Sequence, residues 1–253
     1  MAENKTKRIM LTVAYDGTNY CGWQVQPNGT TVEGVLNESL SRLLQEDITV
    51  IGASRTDSGV HALCNVAVFD TTSPIPGAKM SYALNQRLPE DIRIVDSKEV
   101  AADFHPRHCE SRKTYEYHIV NAPFPNPMKR LYCHFTYAPC DVAAMQEAAA
   151  CLVGEHDFKS FCTVGAQVES TVRTITDLQV FAREDVIIIR VTGNGFLYNM
   201  VRILAGTLLE VGYGKRKPED MEAVLAAKDR QAAGPTAPAK GLRLVKYEFL
   251  SFL

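Results

Sequence analysis

Several classes of protein are excluded by what this chain lacks. Within its 253 residues, no apolar run approaches the roughly 18–20 residues that a helix needs to cross a bilayer. The N-terminal segment, residues 1–17, carries charges but no apolar core of signal-peptide length. The sequence therefore predicts a protein that neither spans a membrane nor is exported, and we expect it in the cytoplasm.

Paired cysteines and metal-binding motifs are also missing. The seven cysteines are scattered, and no two of them are spaced as C-x-x-C. An odd and scattered set fits neither a disulfide framework nor a zinc site, so we expect free thiols in a reducing compartment and no metal. His105, His108 and Cys109 lie close together in the chain, but Pro106 and Arg107 between them make a metal site a weak interpretation.

Motifs that hold nucleotides or build hydrolases are absent as well. The chain contains no G-x-x-x-x-G-K-[ST], G-x-G-x-x-G, G-x-S-x-G or H-E-x-x-H segment. Asp16, Gly17 and Thr18 match part of a phosphatase loop, but that loop needs an acid where Ala14 stands. A turn after a strand explains these residues better, and we expect no cofactor.

The charge balance gives no large excess of either sign. Lys and Arg total 27, Asp and Glu total 29, and the net charge of −2 by itself argues against a nucleic-acid partner. Basic residues are nevertheless concentrated in residues 104–132 and 215–217, and acidic residues in 33–47, 90–103 and 219–229. This distribution fits either one basic face or ordinary solvation of the surface, and both interpretations stay open.

Hydrophobic periodicity predicts the elements of an α+β protein. In the first half, helical spacing starts after Thr30–Glu33, which has the pattern of a capping box. The predicted order is β-α-β-β-α-β, with strands at 7–16, 48–54, 63–72 and 91–100 and helices at 31–46 and 78–88.

The second half repeats this order. Its predicted strands are 112–122, 171–185, 186–193 and 241–253, and its predicted helices are 141–153, 196–212 and an additional one at 218–230. We therefore expect two α+β halves, residues 1–105 and 106–253, that form a mostly antiparallel sheet flanked by helices. A cleft between two such halves is a common place for a ligand.

The segment ASRTDSGVHA, residues 53–62, is a polar interruption between two apolar segments typical of strands. Residues two apart in an extended backbone point to the same face, so Arg55 and Asp57 are predicted to lie side by side, with Gly59 permitting a turn behind them. In a dry cleft, the arginine would keep the carboxylate ionised, as a nucleophile or general base requires. The spacing alone does not distinguish such a site from a structural ion pair.

Aromatic and basic residues alternate in RKTYEY, residues 112–117. Tyr115 and Tyr117 share one face of a predicted strand, and Arg112 and Lys113 precede them. Aromatic rings beside cations are typical of surfaces that stack on bases and hold phosphates, but simple strand packing is the better explanation for Tyr117. Arg202 is predicted to lie off the apolar face of its helix. It is either a solvated charge or a residue that faces the cleft.

Eight short segments cover nearly the whole chain: YDGTNYCGWQ (15–24), TVEG (31–34), ASRTDSGVHA (53–62), FHPRH (104–108), RKTYEY (112–117), TVRTI (171–175), NGFLYNMVRILAG (194–206) and GPTAPAKGL (234–242). Taken together and in this order, they resemble the tRNA pseudouridine synthase A family. One segment departs from the pattern, because the family often has G-R-T-D-A-G where this chain has Ser54 and Ser58 around the same core.

The resemblance implies the pseudouridine synthase fold, with the active site at the floor of a central cleft. It implies that Asp57 is the catalytic aspartate, and that Arg55 pairs with it and helps to hold a flipped nucleotide. Tyr115 would stack on the target uracil and assist proton transfer, and Arg202 would lie close to the catalytic acid. The resemblance further implies that tRNA is contacted by Phe104, His105, Arg107, His108 and Arg173.

The implied activity is isomerisation of uridine to pseudouridine at positions 38, 39 and 40 of the tRNA anticodon stem-loop. No atom is gained or lost, so no cofactor or metal is implied, and whether Asp57 adds to the substrate or abstracts a ribose proton stays open. The family also implies a homodimer, in which the basic faces of two subunits form one groove.

Two other functions remain as alternatives. A pair of α+β halves with surface aromatics also suits an RNA-binding module without catalysis. A hydrolase of nucleosides or glycosides would require two catalytic acids, and no motif pairs a second acid with Asp57.

Overall fold

The computed structural model describes residues 5–163 and 169–250. The chain divides into two compact units: unit 1 contains residues 1–110 and 249–253, and unit 2 contains residues 111–248. The boundary expected from the sequence, between residues 105 and 106, lies a few residues before the start of unit 2. No helix in the described ranges is long and apolar enough to cross a membrane.

Unit 1 follows the order predicted from the hydrophobic pattern. Its elements are β1 (Lys7–Tyr15), α1 (Val32–Leu44), β2 (Ile51–Gly52), β3 (His61–Thr71), α2 (Gly77–Asn85) and β4 (Ile92–Val100). The strand order is β4-β1-β3, and β2 pairs with β3. These pairings are antiparallel, as predicted.

The helix α1 begins one residue later than the capping-box pattern predicts. Its N-cap is Thr31, whose hydroxyl accepts a hydrogen bond from the amide of Gly34 at 3.2 Å. Glu33 does not reach back to cap the helix; its carboxylate accepts the amide of Val25 at 2.8 Å. The capping box over Thr30–Glu33 was therefore wrong, because the acidic side chain is used to hold the preceding loop.

Unit 2 contains the remaining elements. They are β5 (Ser111–Asn121), β6 (His134–Thr136), α3 (Val142–Ala150), β7 (Gly154–Asp157), β8 (Val172–Arg183), β9 (Val186–Gly193), α4 (Met200–Gly212), α5 (Asp220–Ala227) and β10 (Leu242–Phe249). The strand order is β10-β5-β9-β8-β7, with β6 beside β5. The pairs β5–β9, β8–β9 and β7–β8 are antiparallel, whereas β5–β6 is parallel.

The core of unit 2 lies between its sheet and two helices. Strand residues of one face, including Tyr117, Ile119 and Ile189, are completely buried. Helix α3 contacts β8, and α4 contacts both α3 and β5. The α+β class, with mostly antiparallel strands flanked by helices, is confirmed.

Two details of unit 2 differ from the prediction. The strands β6 and β7 were missed because they are short and carry no alternation of apolar residues. Helix α4 starts at Met200 rather than near residue 196, because Asn199 adopts a left-handed conformation with φ of 61°. Residues 251–253 of the predicted last strand lie outside the described residues.

Candidate active site

The loop between β2 and β3 carries Asp57 and contains no regular structure. The side chains of Ser54 and Thr56 are buried, whereas Arg55 is exposed and Asp57 is half-buried. This alternation agrees with the prediction that Arg55 and Asp57 point to the same face, and both are more accessible than Ser54 and Thr56. The buried members of the loop are thus available to fix it from behind.

A tight turn follows Asp57. Its carbonyl oxygen accepts a hydrogen bond from the amide of Val60 at 3.1 Å, and Gly59 has a φ of +77°. A side chain at Gly59 would be strained in this conformation, which explains the glycine. The turn is attached to the segment before α1, because the amide of Gly59 and the hydroxyl of Ser58 both donate to the carbonyl oxygen of Tyr20.

The segment 15–24 packs directly against this loop. The amide of Trp23 donates to the carbonyl oxygen of Thr56 at 3.1 Å. A Cβ atom on Gly22 would lie only 2.6 Å from the same carbonyl oxygen, and Gly22 also has a positive φ of +85°. The close approach of the two backbones therefore requires glycine at this position.

A buried polar network lies beneath the loop. The hydroxyl oxygens of Tyr15 and Thr56 are 2.7 Å apart. Asn65 is completely buried and bonds to the backbone of Ser54 and to the Tyr15 hydroxyl. Tyr15 opens one of the eight segments that carry the family resemblance, but no role was predicted for it, and Asn65 was not predicted at all.

The predicted ion pair between Arg55 and Asp57 is not found. Within the part of the chain that the structure describes, the side chain of Arg55 makes no hydrogen bond or ion pair. Its location on an exposed loop explains this, since water satisfies the guanidinium there. That Arg55 helps to hold a nucleotide stays a prediction.

Arg107 lies near Arg55. Its Nε donates to the carbonyl oxygen of Gly52 at 2.7 Å. Burial lowers the pKa of Arg107, the positive charge of Arg55 lowers it further, and the charge of Glu33 acts in the opposite direction. Two guanidinium groups of like charge on one surface form a local positive potential suited to an anion such as phosphate.

The other residues of the FHPRH segment differ in accessibility. Phe104 is buried, and its ring packs edge-on against Phe249 with centroids 5.2 Å apart. His105 and His108 stack at 3.9 Å, and burial, followed by the charges of His108 and Arg107, lowers the pKa of His105. The exposed side chains of the segment are those of Arg107 and His108.

In unit 2, Tyr115 is held by an aromatic neighbour. Its ring meets Phe196 edge-on, with centroids 5.3 Å apart, and the side chain is nearly buried. Arg112 is exposed, and the ammonium group of Lys113 lies over the ring of Tyr247 at 5.3 Å. The aromatic partner Phe196 was not predicted, although it lies in the segment 194–206 that carries part of the resemblance.

Arg202 and Arg173 are both anchored within unit 2. Arg202 donates through Nε to the carbonyl oxygen of Ala237 and through a terminal nitrogen to Asn199, each at 2.8 Å. Arg173 donates to the carbonyl oxygens of Ser170 and Val172. Arg202 is therefore not merely a solvated charge, because the protein fixes its guanidinium.

No metal centre is apparent in the described residues. Across 5–163 and 169–250, no group of three or more His, Cys, Asp or Glu side chains is arranged to hold a metal ion.

Comparison with known proteins identifies the family. A family model described as tRNA pseudouridine synthase matches residues 11–108 and 148–249. Three relatives named tRNA pseudouridine synthase A are similar over nearly their whole length. The relative from Thermoanaerobacter sp. (strain X514) is 48% identical over 241 residues, which is 95% of this chain and 98% of the relative.

The other two relatives agree with the first. The protein from Ruminiclostridium cellulolyticum is 51% identical over 242 residues, which is 95% of this chain and 98% of its own. The protein from Brevibacillus brevis is 49% identical over 238 residues, which is 94% and 98% of the two chains. The chain belongs to the tRNA pseudouridine synthase family, and the resemblance seen in the sequence is confirmed.

A solved structure gives a weaker likeness. A chain in the crystal structure of a Cbf5-Nop10-Gar1 complex aligns with 94% of this chain at a TM-score of 0.36 and 13% identity, and this chain spans 58% of that one. Such a likeness is too distant for an inference about function.

Proposed function

We propose that this protein isomerises uridine to pseudouridine at positions 38, 39 and 40 in the anticodon stem-loop of tRNA, with Asp57 as the catalytic residue. The observation that carries the assignment is the loop around Asp57. Its neighbours Ser54 and Thr56 are buried and hydrogen-bonded from behind, while Asp57 itself stays half-buried on the accessible side. A carboxylate held in this way on a braced loop suits a reaction that needs one acid and no metal.

The chemistry requires only a rearrangement of the nucleotide. The N1–C1′ bond breaks, the uracil turns, and C5 forms the new bond to C1′. The hydrogen on C5 leaves to solvent, and N1 gains a proton, so that atoms and electrons balance without a cofactor. Asp57 acts on the nucleotide to assist departure and return of the base.

The target base must leave its stack in the RNA, which costs a few kcal/mol. Favourable contacts of the RNA with the cations and aromatic rings of this chain would offset that cost. Arg55 and Arg107 would hold the backbone phosphates, with His108 extending this basic surface of unit 1, and Arg112 would add a further cation in unit 2. Tyr115, held by Phe196, offers a ring that would stack on uracil, and Arg202 is anchored so that its charge is fixed.

The protein is further proposed to act as a homodimer. The net charge of −2 is unfavourable for RNA binding by a single chain, and two copies would combine their basic surfaces. Light scattering at micromolar concentration should give twice the mass of the chain. A species with the mass of one chain under those conditions would contradict this proposal.

The assignment of substrate is tested with an unmodified tRNA transcript that has uridine at positions 38, 39 and 40. After incubation with the purified protein, pseudouridine, which has the same mass as uridine, is labelled with a carbodiimide and then mapped along the transcript by mass spectrometry. We expect modification at these positions, and none in a matched transcript that has cytidine there. Modification elsewhere in the tRNA, or no modification, would overturn the proposed substrate.

A further inference from the structure

The hydroxyl pair of Tyr15 and Thr56 lies on the inner side of the Asp57 loop. Tyr15 is the last residue of β1, and its side chain is buried with an exposure of 4%. Thr56 directly precedes Asp57 and is also buried. The hydrogen bond between their hydroxyls, at 2.7 Å, thus ties the residue next to Asp57 to the end of a sheet strand.

Asn65 completes the network from β3. Its Oδ1 accepts the amides of Ser54 and Val66, at 3.3 and 2.9 Å. Its Nδ2 donates to the carbonyl oxygen of Ser54 at 3.0 Å and to the Tyr15 hydroxyl at 3.4 Å. Both amide hydrogens and both directions of the carbonyl oxygen are used, so the side chain has a single orientation.

The sheet is irregular where these residues meet. The register between β1 and β3 shifts between Val13 and Tyr15: Val13 is paired with Asn65, and Tyr15 is paired with Ala62. Such bulges bend a strand and change the direction of its side chains, and they are frequent beside active sites. Here the irregularity brings a tyrosine hydroxyl and an asparagine amide to the same loop.

The loop itself depends on these side chains. Residues 54–57 belong to no strand or helix, so no ladder of backbone hydrogen bonds fixes them. Asn65 supplies backbone partners on one side of Asp57, and Tyr15 supplies a side-chain partner at Thr56. Burial raises the pKa of Tyr15, so its hydroxyl stays protonated at neutral pH and can donate to Thr56.

We propose that Tyr15, Thr56 and Asn65 are positioning residues that hold Asp57 in its reactive location. An apolar core at this place would exclude water equally well, but only directional hydrogen bonds to Ser54 and Thr56 define where the backbone that leads into Asp57 lies. None of the three needs to touch the substrate. This inference rests on the proposed function and deepens it, because it concerns the residue assigned to catalysis.

The test uses variants that remove one hydroxyl at a time. Thr56→Val and Tyr15→Phe each break the pair, whereas Thr56→Ser keeps a hydroxyl at Thr56. The chain provides a matched control in unit 2, where the Tyr213 hydroxyl donates to that of Thr136 at 2.9 Å. Tyr213→Phe and Thr136→Val remove the same kind of bond, and neither Tyr213 nor Thr136 is a candidate site residue.

Each variant is assayed by the single-turnover rate of pseudouridine formation at saturating tRNA and by its Kd for tRNA. The temperature is chosen so that circular dichroism shows every variant to be folded. We expect Thr56→Val and Tyr15→Phe to lower the rate about 10- to 100-fold, as displacement of a catalytic group does. The Kd should stay within about twofold of the parent, because binding and chemistry are separable.

The expected rates of the remaining variants distinguish a positioning role from a general loss of stability. Thr56→Ser should recover most of the rate, and Tyr213→Phe and Thr136→Val should leave it unchanged. The proposal is overturned if Tyr15→Phe and Thr56→Val react as fast as the two controls, or if their defect lies only in Kd. If the parent protein itself forms no pseudouridine, the proposed function fails instead, so the two failures are distinguishable.

Discussion

The hydroxyl oxygens of Tyr15 and Thr56 lie 2.7 Å apart, beneath the loop that presents Asp57. This contact joins residues 41 positions apart in the chain. Asn65 bonds to the backbone of Ser54, and the backbone of Gly22 packs against the carbonyl oxygen of Thr56. These contacts together hold the irregular loop that carries Asp57.

The first prediction concerns the close approach at Gly22. Gly22→Ala places a Cβ atom 2.6 Å from the carbonyl oxygen of Thr56 and imposes a positive φ on alanine. We expect the free energy of unfolding to fall by about 3 kcal/mol, from strain and backbone displacement together. Urea denaturation measures this change.

Gly214 provides the control for Gly22. It has a similar positive φ of +69°, but a Cβ atom added there would meet no described atom within 4 Å. Gly214→Ala should therefore cost only the conformational term, about 1 kcal/mol. Equal losses in the two variants would show that the contact with the Asp57 loop does not constrain Gly22.

The second prediction concerns a buried hydroxyl. The Oγ of Ser54 is inaccessible and has no hydrogen-bond partner among the described residues. Ser54→Ala removes this unsatisfied group and should raise the free energy of unfolding by roughly 1 kcal/mol. The variant should retain the rate of the parent, since Asn65 bonds only to the backbone of Ser54.

Ser160 is the matched comparison for Ser54. It is equally buried, but its hydroxyl donates to the carbonyl oxygen of Val224 and accepts the amide of Asp229. Ser160→Ala should lower the free energy of unfolding by about 1–3 kcal/mol, because it leaves those partners unpaired. A loss of stability in Ser54→Ala of the same size would contradict this account.

The third prediction concerns the dependence of stability on pH. His118 bonds to Glu116 at 2.8 Å, and Arg190 also donates to Glu116. Burial lowers the pKa of His118 below 6.5, and the charges of Arg243 and Arg190 add to this effect and outweigh the bond to Glu116. As the pH falls through 6.5, the unfolded chain takes up this proton first, so stability is lost.

Glu116 adds a second step at lower pH. Burial alone would raise its pKa, but hydrogen bonds from His118 and Arg190 outweigh burial and bring the pKa below 4.5. Its contribution to stability is present above pH 4.5 and is lost as the pH falls through the lower folded value.

The variant His118→Gln tests the histidine step. Its free energy of unfolding should depend less on pH below 6.5 than that of the parent. A profile parallel to that of the parent would refute the assignment.

The fourth prediction concerns the two cations beside the Asp57 loop. If Arg55 and Arg107 hold phosphates, replacing either with glutamine should weaken tRNA binding and reduce the slope of log K against log salt by about 1. Arg42→Gln, on the exposed face of α1, should leave the slope unchanged. An unchanged slope in Arg55→Gln and Arg107→Gln would place the phosphate contacts elsewhere.

The sequence was informative where one physical pattern dominates. The long strands β1, β3 and β9 and the helices α1 and α4 follow from apolar periodicity, and the turn at Gly59 follows from the glycine within a polar segment. β6 and β7 were not predictable because three or four residues are too few to show a period. Helix α4 starts later than predicted because Asn199 has a left-handed backbone conformation. Asparagine can adopt this conformation but usually does not, so the sequence does not reveal it.

For the site, local spacing correctly placed Arg55 and Asp57 on one face of the loop, but the pairing of Arg55 with Asp57 that the resemblance implies is not found among the described residues. The hydrogen bonds that hold the loop could not be predicted from the sequence, since Tyr15, Thr56 and Asn65 come together only in the folded protein. Phe196 was missed for the same reason, because its contact with Tyr115 joins two residues far apart in the chain.

The central claim, that Asp57 catalyses the isomerisation, is tested most directly by tritium release from tRNA labelled at C5 of uridine. The parent protein should release one tritium for each pseudouridine formed. Asp57→Asn should bind tRNA with the affinity of the parent but release no tritium, and Asp96→Asn, an exposed control on β4, should behave as the parent. Tritium release by Asp57→Asn at the parent rate would contradict the account.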